Sequence, residues 1–165
     1  MALTKVLSSG ISSAFTEVDQ WYLTADHTTD GDSTITSWSR ATQTGWSKIG
    51  TGMSHSSGVF TFPSTGLYKV SIFAAFRDDS DDNMSVNIEV TTDNSTYTVV
   101  IQAVAGETST QNTAAAVSYF LNVTDTSNVK VRFGAESMDA SSFLIGASSD
   151  KIRTNAMFER IADSQ

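Results

Sequence analysis

At 165 residues the chain has one domain's length, enough to bury a real core but too little for two independent ones. Its 18 acidic and 10 basic side chains leave a formal net charge of −8, and no Lys/Arg cluster interrupts that balance, which excludes electrostatic binding to nucleic acid. The absence of Cys excludes disulfides, thiol chemistry and thiolate metal sites, so stability must come from burial and assembly.

In chain order, "MALTKVLSSGISSAF" has no uninterrupted apolar stretch and does not read as a signal peptide. No later run approaches the ~20 apolar residues of a membrane span, so no membrane partner is expected. Residues 1–34 are read as an N-terminal arm or anchoring segment, with one possible strand at "QWYLTAD" and a polar loop at "HTTDGDST". "ITSWSRAT" and "WSKIG" suggest short strands around a turn at Thr44 and Gly45. "GTG" at 50–52 lacks the lysine and following helix of a phosphate loop and is read as a turn.

The strongest pattern is "GVFTFPSTGLYKVSIFAAF", residues 58–76. A short alternating run ends at the chain's single proline, Pro63, which removes a backbone donor. Gly66 then turns the chain into a long strand with Tyr68, Val70, Ile72, Ala74 and Phe76 on one face. The same period of two puts Met84, Val86, Ile88 and Val90 inward, then Tyr97, Val99, Ile101 and Ala103, then Val117, Tyr119, Leu121 and Val123, then Val129, Val131 and Phe133. "NAMFERI" is the last strand, and Asp/Asn/Ser/Thr/Gly clusters separate the runs at the spacing of an antiparallel sandwich. The fold class is therefore all-β, a two-sheet sandwich over residues 35–162 with a tail at 163–165.

"GVFTFPSTGLYKVSIFAAF", followed by "NMSVNIEV", "AAVSYFLNVTDTSNVKVRF" and "AMFERI", resembles the jelly rolls of the tumour-necrosis-factor and complement-one-q superfamily. Gly66, Leu67 and Tyr68 carry the most specific part of that resemblance, which spans about residues 36–162. It implies a jelly roll packed as a homotrimer around an aromatic-rich axis, a binding and assembly module and not an enzyme. Tyr68, Phe76, Tyr119, Phe120 and Phe158 become candidates for the core or for that axis. Similar jelly rolls occur as fibre tips and head decorations of tailed bacteriophages, and "MALTKV" resembles the openings of structural proteins of marine bacterial viruses.

Chemistry has little to work with. His27 and His55 are the only histidines, and the serines around His55 in "GMSHSSG" form no nucleophile elbow. Asp78, Asp79, Asp81 and Asp82, and separately Asp26, Asp30 and Asp32, could supply oxygens to calcium. Neither group has the spacing of a helix–loop–helix calcium site, and the plainer reading is a solvated turn. No other cofactor is expected. Trp21, Trp38 and Trp46 are candidates for stacking on a glycan, or else for filling a core or interface. The expectation is thus a virion structural protein, made in a bacterial cytoplasm. It would trimerise as a capsid decoration or a tail or fibre part, with residues 1–34 reaching capsid or tail proteins. The alternative is a module binding a host glycan or receptor at a fibre tip.

Overall fold

The computed structural model describes residues 15–78, 83–106, 111–148 and 151–165, and no helix occurs among them. The strands are β1 (Val18–Leu23), β2 (Gly31–Thr34), β3 (Trp38–Arg40), β4 (Ser54–Ser56), β5 (Val59–Thr61), β6 (Gly66–Asp78), β7 (Asn83–Thr91), β8 (Thr98–Gly106), β9 (Gln111–Val123), β10 (Lys130–Met138), β11 (Phe143–Leu144) and β12 (Asn155–Ala162). They form two antiparallel sheets. In the first, β9 and β12 flank β6, then come β1 and β3, and β11 pairs with the far end of β6. The second runs β4-β5-β10-β7-β8, with β2 continuing along β10 beyond β5.

β6 is the spine of the first sheet, paired with β9 from Gly66↔Val123 to Asp78↔Gln111. Tyr68, Val70, Ile72, Ala74 and Phe76 all point into the core and are buried, as the alternation requires. The proline turn before β6 is closed by Tyr68 itself: its ring is buried and its hydroxyl donates to the carbonyl of Ser64 at 3.1 Å. Gly66 is needed because the guanidinium of Arg160, which donates to Thr65 O at 2.9 Å, crosses where a Cβ would stand. The centre of the core is Phe60, whose ring lies within 4.7–6.0 Å of the rings of Trp21, Trp38, His55, Phe133 and Phe158.

Three expectations are corrected. First, the segment 1–34 is not an arm throughout: β1 pairs with both β12 and β3, and β2 pairs with β10, so the sandwich includes residues 18–34. Alternate burial of Asp19, Trp21 and Leu23 explains this, because a strand with a full inward face cannot stay out of a core. Second, "HTTDGDST" contains β2, while "WSKIG" contributes only a bridge from Ile49 to Val18. Third, β8 carries a bulge between Ile88↔Ile101 and Glu89↔Val99. The extra residue, Val100, packs on the core, and Val99 is turned out to solvent. The tail at 163–165 is tied to the sandwich, since Asn122 of β9 exchanges two hydrogen bonds with the backbone of Gln165.

The segment "GTGM" shows how the edge of the first sheet is fixed. Its N–H groups meet carboxylates of the chain itself: Thr51 and Gly52 donate to Glu17 at 3.2 and 2.9 Å, and Met53 donates to Asp19 Oδ2 at 2.7 Å. Asp19 is buried and also accepts from Trp21 Nε1 at 2.9 Å and from Arg40 Nε at 3.0 Å. The turn is an anion cradle filled from within.

Candidate functional site

Each sheet has one face on the core and one outward, and the two outward faces differ. On the second sheet the outward face of β7 and β10 is polar and self-satisfied, while β8 exposes Val99 and Val104 beside it. Asn87 donates to Glu136 Oε1 at 2.6 Å and accepts from Gly134 N at 3.0 Å, Gln102 donates to Ser85 at 2.9 Å, and Arg132 binds Glu89 at 2.7 Å while stacking over Tyr97.

The outward face of the first sheet is built by β9, β6, β12 and β1. The registers place Phe120, Lys69 and Glu159 in one row, then Ser118, Ser71 and Met157, then Ala116, Phe73 and Asn155. Only small polar links cross it: Ser71 to Ser118 at 2.9 Å, Gln20 to Asn155 at 3.3 Å and the ion pair of Lys69 with Glu159 at 3.3 Å. Phe120, on the edge strand β9, is 60 % exposed, and Phe73, on the inner strand β6, is 43 % exposed, a large apolar area to leave in water. Beside Phe73 lies a shallow apolar groove of about 220 Å³ lined by Ser71, Phe73, Ala116, Ser118, Asn155 and Met157.

Of the five aromatics expected at the core or the axis, Tyr68, Phe76 and Phe158 fill this chain's own core and are closed to any partner. Tyr119 faces inward and is half-buried, and Phe120 alone points outward. Phe73 was missed. Its signal is the unbroken run "IFAAF", which has no polar residue on either face and so marks a strand with both faces meant for burial.

The tryptophans do not form a glycan platform. Trp21 and Trp38 are buried with their indole N–H groups satisfied by Asp19 and by Ile35 O at 2.9 Å each, and only Trp46 keeps a half-exposed ring. Asp79, Asp81 and Asp82, and the side chain of Asp78, lie outside the described residues. Asp26 and Asp32 are drawn to different partners, Gly146 N at 2.8 Å and Ser137 N at 3.1 Å, and no cluster suited to a metal ion occurs among the described residues. Other acidic residues cap turns: Asp93 accepts from Ser95 N and Thr96 N at 2.9 and 2.8 Å, and these N–H bonds, Thr96 first, hold its carboxyl well below the usual range.

Burial lowers the pKa of both histidines. His55 Nε2 accepts from Gly58 N at 3.0 Å within the two-residue turn joining β4 to β5. His27 is brought 2.8 Å from Ser33 Oγ, the separation of a nucleophile and its base. Among the described residues, however, no carboxylate hydrogen-bonds the ring.

No protein-family model matches the sequence, and no curated protein matches it. Solved structures do match. Murine APRIL at pH 8.5 superposes with a TM-score of 0.62 over 87 % of this chain and 98 % of its own, at 9 % identity. Eiger TNF from S. frugiperda gives 0.63 over 90 % and 94 %, at 15 % identity. The fold is the tumour-necrosis-factor-like jelly roll. At such identities the likeness is one of architecture, and it agrees with the resemblance carried by Gly66, Leu67 and Tyr68.

Proposed function

We propose that this chain is a self-assembling structural module whose copies pack through the outward face of β9, β6, β12 and β1. The observation that carries the proposal is the apolar groove beside Phe73, on a face that also exposes Phe120. Isologous or cyclic packing of such a face removes it from water and stabilises each chain by mass action. The number of copies, three, comes from the jelly-roll resemblance.

The setting we propose is the virion of a tailed bacteriophage, as a capsid decoration or a part of a tail or fibre. It is supported by the resemblance of the opening "MALTKV" and by a chain whose histidines and acidic turns are committed to structure. Attachment to the particle is then assigned to the residues ahead of β1, because β1 and β2 are themselves sheet strands.

Light scattering on the full chain tests the assembly. We expect three times the chain mass for the native protein and a single chain mass for Phe120→Glu, because burying an unpaired carboxylate at each contact costs several kcal/mol, ~3 or more. A folded native protein of single-chain mass would sink the reading.

A further inference from the structure

One step further along β6, past the apolar groove, the surface changes character. Here the strand leaves β12 and pairs with β11, and a separate cavity of about 460 Å³ opens. Its charged and polar lining is Arg77, Arg153, Asn112 and Asp26, with Phe143 as its aromatic wall and Ala75 among the small residues. The registers explain the grouping, since Arg77 stands opposite Asn112 of β9 on one side and opposite Phe143 of β11 on the other. Arg153 enters from the residue just ahead of the buried Thr154 at the start of β12.

The cavity is preorganised by bonds made outside it. Thr154 is fully buried, accepts from Ala75 N at 3.1 Å and donates to Ile145 O at 2.8 Å, while Ile145 N donates to Ala75 O at 2.8 Å. Asp26 Oδ1 accepts from Gly146 N at 2.8 Å, and Gly146 lies so close to the backbone of Ala25 that any side chain there would overlap it. These contacts lock the segments bearing Asp26, Ile145 and Arg153 against β6. Among the described residues, the Arg153 guanidinium, the Asn112 amide and Asp26 Oδ2 have no protein partner.

We infer that this cavity binds a small carboxylated, hydroxyl-rich molecule of acidic-monosaccharide type. Guanidinium forks match a carboxylate in a way that a lysine point charge does not, and two of this acidic chain's ten basic residues meet here. An amide and a carboxylate oxygen beside them can hold hydroxyl groups, and the Phe143 ring offers an apolar wall to the C–H face of a sugar. The volume falls within the range of small-molecule sites. The inference stands apart from self-assembly and does not require it.

The test is calorimetric titration of the full chain with galacturonate, galactose, acetate and inorganic phosphate, repeated on Arg153→Gln and on Phe120→Glu. Saturable binding of galacturonate is expected, with galactose and acetate each at least tenfold weaker and a tenfold or greater loss in Arg153→Gln, the worth of a charge-assisted bond. Binding retained in Phe120→Glu would show that the site works whether or not that variant assembles. No binding of galacturonate to the native chain would overturn the inference, as would equal binding by Arg153→Gln. Phosphate or acetate binding as tightly as galacturonate would reduce the site to a plain anion pocket and overturn the sugar class.

Discussion

Asp19→Ala is the substitution whose cost can be worked most directly from the structure. The carboxylate is buried and is the acceptor for Met53 N at 2.7 Å and Trp21 Nε1 at 2.9 Å. Alanine leaves both donors buried and unpaired, and each such group costs about 1–3 kcal/mol. Arg40 contributes less than its charge suggests: its side chain is 32 % exposed, can rehydrate, and keeps its bond to the Met53 carbonyl. The sum is about 3–5 kcal/mol, the range for breaking a buried pair from one side. For a chain of 165 residues this lowers Tm by roughly 10 °C, at about 2–4 °C per kcal/mol. Urea unfolding followed by tryptophan fluorescence measures it, at one fixed chain concentration because assembly makes the midpoint concentration-dependent. The reasoning also requires that Asp19→Ala combined with Arg40→Met cost less than the two separate losses added together, since the second change removes the stranded cation. A single variant within about 1 kcal/mol of the native protein, or strict additivity in the pair, would refute the account of the 50–53 turn as an internally filled anion cradle.

Two further outcomes follow from the core. Phe60→Ala should cost about 3–5 kcal/mol, because five rings converge on that side chain and cannot all collapse into the space; a loss below about 1 kcal/mol in the same urea assay would contradict the packing. Burial lowers the pKa of both His27 and His55 below the 6.5 of the unfolded chain, so the unfolded state binds more protons. The contribution of the histidines to stability should therefore be constant above about pH 7 and fall as the pH drops through 6.5 toward the lowered folded values. His55→Gln, which keeps an acceptor for Gly58 N, should lessen that fall in thermal scans at pH 7.5 and 5.5, and an unchanged pH dependence would remove His55 from the account.

The sandwich was legible because its signal is local. Alternation over Tyr68–Phe76, Met84–Val90 and Val117–Val123 names the inward face of three long strands, and the proline–glycine turn sets where β6 begins. What stayed hidden depends on partners distant in sequence. β1 looks weak until β12, 132 or more residues later, supplies its ladder from Val18↔Glu159 to Tyr22↔Asn155. The bulge at Val100 reverses the faces of Tyr97 and Val99 without any glycine to announce it, and Arg132 then takes the Tyr97 ring on the outside. Trp21 and Trp38 could not be assigned by type alone, since an indole ring suits a core and a sugar equally until its N–H is seen to be satisfied inside.

The contrast between the two outward faces turns the fold into a functional argument. On the second sheet even buried polar residues such as Asn87 and Ser85 are fully bonded to neighbours, and Gly134 has no side chain so that Asn87 and Glu89 can lie flat across it. This polar part, unlike the exposed Val99 and Val104 of β8, gains little by docking, since a partner would have to replace bonds already made. On the first sheet the residues at the same positions relative to solvent are Phe73, Phe120, Met157 and a row of alanines, which lose no bonds when covered. The gradient along β6, from apolar at Phe73 to cationic at Arg77, then divides one surface into a part suited to copies of the chain and a part suited to an anion. Phe120→Glu and Arg153→Gln should accordingly separate cleanly, the first abolishing assembly and the second abolishing galacturonate binding. Loss of both properties in either variant would mean that the two regions act as a single site.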